Sequence, residues 1–234
     1  MRRVLTFAVL AVVVAPMTAS AQQSLNLSIG GFSPRAEDAR DQNDVLVADR
    51  SFLAFNVGDL SGFSVGGEYL VALGDKFDAG AGIGFYQRST PAVDFLNEFQ
   101  GTGDSIIADL KLRVVPFTAT IRFLPLGHRN VQPYLGAGVG VFAWRYGESG
   151  DFVASDNVTI IHGNFVGSGS ATGPVVLGGV RVPIGSVGVG GEIRWQSAVA
   201  NLPTDQGFAT TTAGGPPKID LGGWTYSFTL NFKF

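Results

Sequence analysis

Few side chains in this sequence have the chemistry of a site, and the most suggestive are charged residues inside strand-like stretches. Two similar segments, SVGGE and GVGGE, carry Glu68 and Glu192, and comparable stretches carry Arg122, Arg181 and Arg194. A charge held away from water costs several kcal/mol unless an opposite charge neutralises it. We therefore predict that these five residues form an interior ion-pair network. The alternative is that the glutamates face a water-filled interior without partners.

The two histidines offer little for catalysis. His128 lies in a short turn and His162 in a long polar stretch. We expect them at opposite ends of the fold, roughly 30 Å apart if they flank a hydrocarbon core. Hydrolysis or group transfer needs a constellation of His, Ser or acidic side chains within hydrogen-bond reach. Cysteine is absent, and no metal-ligand spacing occurs. We predict no enzyme activity, no metal and no cofactor.

The elements that must position these charges are β-strands. The final ten residues, TYSFTLNFKF, alternate apolar and polar side chains up to Phe234, and a period of two is typical of a strand with two different faces. Seven earlier runs alternate in the same way. The eight predicted strands cover approximately 24–32, 63–71, 77–88, 106–124, 131–146, 174–182, 187–196 and 225–234.

In the fourth run the polar positions change parity. The odd-numbered Asp109, Lys111 and Arg113 are polar first, and the even-numbered positions of 118–122 are polar afterwards. A β-bulge shifts the alternation by one residue and tolerates proline. We therefore predict a bulge at Pro116, with the charges of both halves on one inner face. The alternative, two strands joined at this proline, lacks a hairpin turn sequence.

Connections between the predicted strands alternate in length. Short turns lie near 74–75, 126–130 and 184–186, and long polar connections span about 33–60, 89–104, 147–173 and 198–217. This asymmetry is typical of membrane barrels. The polar faces hold rows of glycine with isolated charges, which suits a narrow lumen. The sequence therefore predicts an all-β fold: an eight-stranded antiparallel up-and-down transmembrane β-barrel with four long external loops.

The N-terminus has the features of a secretory signal peptide. A basic start, an apolar run over residues 4–15 and the small residues Ala19 and Ala21 fit such a segment. Cleavage after Ala21 divides the chain into a signal peptide, 1–21, and a single barrel domain, 22–234. The net charge of −3 and the lack of a basic tract predict no nucleic-acid partner.

The chain resembles the small outer-membrane β-barrel family of the OmpA/OmpW-like type. The segments that carry this resemblance are FTATIRFLPLGHRNVQPYLGAGVGVF and the terminal YSFTLNFKF. The resemblance implies a bacterial outer-membrane location, contact with outer-membrane lipids and insertion by the barrel-assembly machinery. It also implies that this machinery reads a terminal signal made of Tyr226, Phe228, Leu230, Phe232 and Phe234.

The resemblance implies no particular activity, because this fold hosts many functions. We expect a monomeric, non-enzymatic membrane protein whose long loops serve adhesion, surface protection or envelope integrity, with an unidentified loop partner. One alternative is a narrow, porin-like pore or lateral gate for small or apolar molecules. Another is a soluble secreted β-sandwich with a binding role.

Overall fold

Eight long antiparallel strands close into a barrel in the computed structural model, which describes residues 22–99, 103–154, 159–209 and 215–234. The barrel strands are β1 (Gln23–Pro34), β3 (Gly62–Ala72), β4 (Phe77–Glu98), β5 (Ser105–Phe123), β6 (Gln132–Val153), β7 (Ile160–Ile184), β8 (Val187–Gln196) and β11 (Gly223–Lys233). Each pairs with the next along the chain, and β11 pairs with β1. The predicted eight-stranded up-and-down barrel is confirmed. The predicted signal peptide lies outside the described residues.

Smaller elements belong to two connections at one end of the barrel. Residues 35–61 contain the helix α1 (Val45–Asp49), the strand β2 (Leu53–Ala54) and two 3-10 helices, Glu37–Ala39 and Val57–Leu60. Residues 197–222 contain the paired strands β9 (Val199–Asn201) and β10 (Lys218–Asp220). We call this the loop end, and the opposite end, with turns at 73–76, 124–131 and 185–186, the turn end. Within the described ranges, no helix is long and apolar enough to cross a bilayer.

Strand β5 runs through Pro116 without a bulge. Val115 pairs with Ala143, Pro116 with Phe142 and Phe117 with Val141 in one continuous register. The bulge predicted at Pro116 is therefore wrong. Even-numbered residues of β5 face inward both before and after Pro116. The polar positions change parity because the surroundings of the inner and outer faces change at this height of the wall.

The barrel wall has two zones of opposite polarity. In the zone near the turn end, apolar side chains point outward, and Leu135 and Val139 are 70% and 67% exposed. In the zone near the loop end, the apolar side chains point inward, and Leu110 and Leu112 are buried. There the outer face carries charged side chains: Arg113, which was predicted to face the lumen, is exposed to the outside.

The strands continue well beyond the apolar outer band. Strand β4 reaches Glu98, β6 reaches Val153 and β7 begins at Ile160. Two of the four predicted long connections, 89–104 and 147–173, are thus mostly strand. Their sequences do not show apolar-out alternation, because above the band the outer face meets water.

Candidate functional site

Four of the five charged residues predicted to pair lie together inside the barrel. Arg122 Nη2 donates to Glu68 Oε2 and lies 2.9 Å from Glu192 Oε2. Arg194 Nη2 lies 3.1 Å from Glu68 Oε2 and 2.8 Å from Glu192 Oε1. Each arginine contacts both glutamates, and the four formal charges sum to zero. We call this group the ion-pair ring.

Neutral side chains add hydrogen bonds to the ion-pair ring, in which Arg122 Nε is left without a hydrogen-bond partner among the described residues. The Thr120 hydroxyl donates to Glu68 Oε1 at 2.6 Å, and the Tyr134 hydroxyl donates to Glu192 Oε2 at 3.0 Å. The Arg122 guanidinium lies over the Tyr134 ring, 4.8 Å from its centroid, a favourable cation–π geometry. Buried charges are tolerated when they are paired and hydrogen-bonded in this way.

Two glycines from the predicted lumen rows are needed for this packing. A β-carbon at Gly80 would overlap the Glu68 carboxylate, and one at Gly138 would overlap the Ala119 carbonyl oxygen. The glycine rows therefore allow the walls and the ionic side chains to approach closely.

Arg181 belongs to a separate cluster near the turn end. Its Nη2 lies 3.1 Å from Asp78 Oδ2, and its Nε donates to Gln132 Oε1 at 2.6 Å. His128 Nε2 lies 2.8 Å from Asp78 Oδ1. The prediction that Arg181 joins Glu68 and Glu192 is wrong, because Asp78 is the acid that pairs with it.

The space above the ion-pair ring is small. A cavity of about 50 Å³ lies among Ser28, Ser64, Gly84 and Ser227, and another of about 20 Å³ lies beside Tyr86. The hydroxyl-lined cavity has room for a few water molecules. Neither cavity has the volume of a typical small-molecule site, several hundred Å³.

The loop end of the interior is filled by an apolar plug. Val45, Leu46 and Leu60 from the first connection, and Ile219 and Leu221 from the last, are all at most 1% exposed. They pack with wall residues in one cluster, of which Leu110, Leu112, Val114, Phe142, Trp144, Tyr146 and Val175 are members. Burial of so many apolar side chains stabilises the plug as a folded unit.

A buried ion-pair group joins the two connections that form the plug. Arg40 donates to both carboxylate oxygens of Asp44 at 3.0 Å and to the Asp220 carbonyl oxygen at 2.8 Å. Asp44 Oδ2 also accepts from the Asp220 amide at 2.7 Å, and Arg35 lies 2.8 Å from the Asp220 carboxylate. Asp44 in addition caps α1 by accepting from the Leu46 amide, as is typical of an N-cap residue.

Two further acids are buried between the plug and the wall. The Tyr146 hydroxyl donates to Asp49 Oδ2 at 3.0 Å, while Asp49 Oδ1 and Glu148 Oε1 have no hydrogen-bond partner in the described part of the chain. Burial, with repulsion from Glu148, holds the pKa of Asp49 well above its usual range. Burial also raises the pKa of Glu148 to about 7. This acid pair is therefore most stable with at least one proton.

The predicted terminal signal lies along the outer face of β11, and its last residue, Phe234, directly follows that strand. Tyr226, Phe228, Leu230, Phe232 and Phe234 all expose large parts of their side chains on the barrel surface. Strand β11 closes the barrel by pairing with both β1 and β8. Reading of these residues by the assembly machinery stays a prediction.

Sequence reasoning missed the plug and its residues. The first connection contains VLVADRSFLAFNVGDL, Val45–Leu60, which is much more apolar than a solvated loop, and this content was the available signal. Nothing in the sequence pairs Asp44 with Asp220, because their contact depends on two connections meeting across the barrel mouth.

The histidines lie at opposite ends, as their segments predicted. His128 bonds Asp78 near the turn end, and the exposed His162 lies 3.0 Å from Asp151 on the extended strands. Among the described residues, no three His, Asp or Glu side chains are grouped closely enough to hold a metal ion.

Similarity to known proteins is evident at the level of structure. No protein-family model matches the chain, and no curated protein matches it significantly. The outer membrane protein OprG from Pseudomonas aeruginosa is similar over 92% of this chain and 96% of its own, with a TM-score of 0.52 and 15% identity.

Two other solved structures cover as much of the chain at lower scores. A major outer membrane protein from Thermus thermophilus has a TM-score of 0.49 and 12% identity, over 92% of this chain and 100% of its own. The protease OmpT from Escherichia coli has a TM-score of 0.45 and 11% identity, over 94% of this chain and 100% of its own.

The shared fold with OprG and the apolar outer band lead to one conclusion. The chain has the fold of the small β-barrel proteins of the bacterial outer membrane.

Proposed function

We propose that the protein is a closed, non-enzymatic outer-membrane barrel that acts through its loop end, in adhesion, surface protection or envelope integrity. The observation that carries this proposal is the double obstruction of the interior. The ion-pair ring crosses the lumen near the turn end, with Arg122 at 1% exposure, and the apolar plug fills the loop end. Because both layers would have to open for passage, this double obstruction supports a function on the outside of the barrel.

The two alternatives fit the geometry less well. A pore or lateral gate needs a continuous path, whereas the space between the ring and the plug is about 50 Å³, and β8 stays paired with β7 along its whole length. A soluble sandwich would bury its apolar faces between two sheets. Here one closed sheet leaves Leu135 and Val139 largely exposed on its outer face.

The proposal of a non-enzymatic role rests on side-chain placement. His128 and His162 bond different acids at opposite ends of the barrel. Catalysis needs a nucleophile, a base and a substrate position in mutual reach. The best connected polar groups, in the ion-pair ring, lie below the plug and away from solvent.

Apolar side chains at the loop end favour a contact role. Phe95 and Leu96 near the tip of β4 are 56% and 62% exposed, and Ile107 and Ile161 are also exposed. These residues lie beyond the apolar outer band, where the outer face is otherwise polar. Exposed apolar patches in water mark interaction surfaces.

The test combines conductance with surface contact. Purified barrel in planar bilayers should show no steady conductance. Cells that carry the wild type should adhere to a matrix-coated surface more strongly than cells with Phe95→Ser/Leu96→Ser, at equal surface amounts of folded barrel. Large ohmic conductance would favour the pore, and equal adherence of the two strains would remove the contact role.

A further inference from the structure

A row of hydrogen-bond donors crosses four strands on the outer face. Arg113 of β5 lies directly opposite Arg145 of β6, Gln87 of β4 lies opposite Arg113, and Ser168 of β7 lies opposite Arg145. All four are exposed, and so is Lys111, which points to the same side two residues before Arg113. We call these five residues the donor row.

The positive charges of the donor row have no ion-pair partner in the part of the chain that the structure describes. Within the described ranges, no acid forms an ion pair with Arg113, Arg145 or Lys111. The acid nearest in register on this face is Asp109, which lies beyond Lys111, away from the arginine pair. Like charges directly opposite each other on a sheet are destabilising. Because opposite strand residues have Cα atoms about 5 Å apart, an external anion between the two guanidinium groups would relieve this repulsion.

The height of the donor row identifies where that anion would be found. Immediately toward the turn end come Val115 and Ala143, then Phe117 and Val141, which are 48% and 44% exposed. The donor row thus begins two residues past the apolar outer band, or about 5 Å farther along the normal for a tilted strand. Lipid head groups occupy a layer of this thickness outside the hydrocarbon core.

We propose that the donor row binds the phosphate groups of a phosphorylated lipid in the leaflet at the loop end. Arginine forks bind phosphate oxygens in bidentate fashion, and the Gln87 amide and the Ser168 hydroxyl extend the same line of donors. The acyl chains of such a lipid would lie on the band beside Phe117 and Val141. A soluble phosphate lacks that second contact, which is why a membrane lipid is the ligand.

The test uses the folded full barrel in zwitterionic detergent micelles, with diphosphorylated lipid A as the probe. The thermal midpoint, read from the gel shift between folded and unfolded barrel, should rise with added probe for the wild type. Arg113→Gln and Arg145→Gln should each weaken the apparent affinity about ten-fold, as expected when a charge-assisted bond is lost. Lys76→Gln/Arg129→Gln removes two exposed positive charges at the turn end and should leave the affinity unchanged.

The thermal midpoint without the probe separates lipid binding from a purely structural role. In the absence of the probe, Arg145→Gln should raise the midpoint because it removes the like-charge contact. The same variant should therefore gain stability and lose lipid binding. Equal responses of wild type and both arginine variants would overturn the proposal. So would an equal rise with dephosphorylated lipid A, or with inorganic phosphate at the same concentration, since neither supplies phosphate and acyl chain together.

Discussion

Leu112 and Arg122 point into the barrel from the same strand, ten residues apart, and each is 1% exposed. One inner face thus passes from an apolar core to an ion-pair ring along a single unbroken strand. The outer face changes in the opposite sense, from exposed arginine at Arg113 to exposed isoleucine at Ile121. The molecule is a lipid-facing barrel at one end, and it has the polarity of a water-soluble barrel at the other.

Neutralising one acid of the ion-pair ring should destabilise the barrel. Glu192→Gln leaves Arg122 and Arg194 with one carboxylate, Glu68, between them. We expect a loss of about 3–5 kcal/mol in the free energy of unfolding, typical of a broken buried pair. Urea titration in micelles measures this loss.

The double variant Glu192→Gln/Arg194→Gln is the informative partner of that change. It restores the charge balance of the ring, so it should recover part of the lost stability. The exposed control Glu98→Gln should change stability by less than about 0.5 kcal/mol. A double variant no more stable than the single one would argue against charge balance as the cause.

The outer face can be tested with one added charge. Val139→Arg places a guanidinium in the apolar band and should destabilise the inserted barrel by about 2–4 kcal/mol. Ser149→Arg, on the same face of β6 but beyond the band, should have little effect. Equal losses in lipid-based unfolding experiments would contradict the assigned lipid boundary.

Substitution of Gly138, next to Val139, should impair folding through steric crowding of the added side chain, with no need for an added charge. Gly138→Ala already forces a β-carbon against the Ala119 carbonyl oxygen, so folding yield should fall even for this smallest substitution. Gly191→Ala is the matched control, because its β-carbon would have no contact closer than 3.8 Å. Equal refolding yields of the two variants would show that the walls can move apart.

The terminal aromatic residues should govern insertion. Phe232→Ser/Phe234→Ser, or deletion of Phe234, should leave exported protein uninserted, because both side chains lie on the exposed face of the closing strand β11. Phe63→Ser, a 62% exposed aromatic on another strand, is the control and should insert normally. Membrane fractionation of cells measures both, and normal outer-membrane levels of the double variant would exclude the signal.

Plug stability should depend on pH through the buried acids. The pKa of Glu148 rises from 4.5 to about 7 on folding, so the folded state holds a proton that the unfolded state has lost. The stabilising contribution of the Glu148 proton should therefore be lost as pH rises from about 4.5 through about 7, a change of roughly 3 kcal/mol. Glu148→Gln should remove this component, and parallel pH profiles of variant and wild type in urea unfolding would contradict it.

Sequence patterns were sufficient for the barrel itself. Period-two alternation in eight runs, such as 187–196 and 225–234, predicts strands whose faces differ, and the apolar face is long enough to meet lipid. Opposite charges at Glu68, Arg122, Glu192 and Arg194 predict an ionic interior, since unpaired charges are too costly in a narrow lumen. Both inferences depend on the succession of residue types along the chain, which can be read from the sequence directly.

Tertiary structure alone decided the rest. Arg181 pairs with Asp78 and not with Glu68, because the stagger of the strands sets the position of each inward residue along the barrel axis. The alternation of apolar and polar residues does not reveal this position. From the sequence, the parity change at Pro116 indicated a bulge or, as the alternative, two strands joined at the proline. The unbroken register with β6 shows one continuous strand whose surroundings change instead. The inversion exists because residues 35–61, 197–209 and 215–222 fold back to fill the barrel mouth. This long-range contact favours an apolar inner face and leaves Arg113 and Arg145 outside.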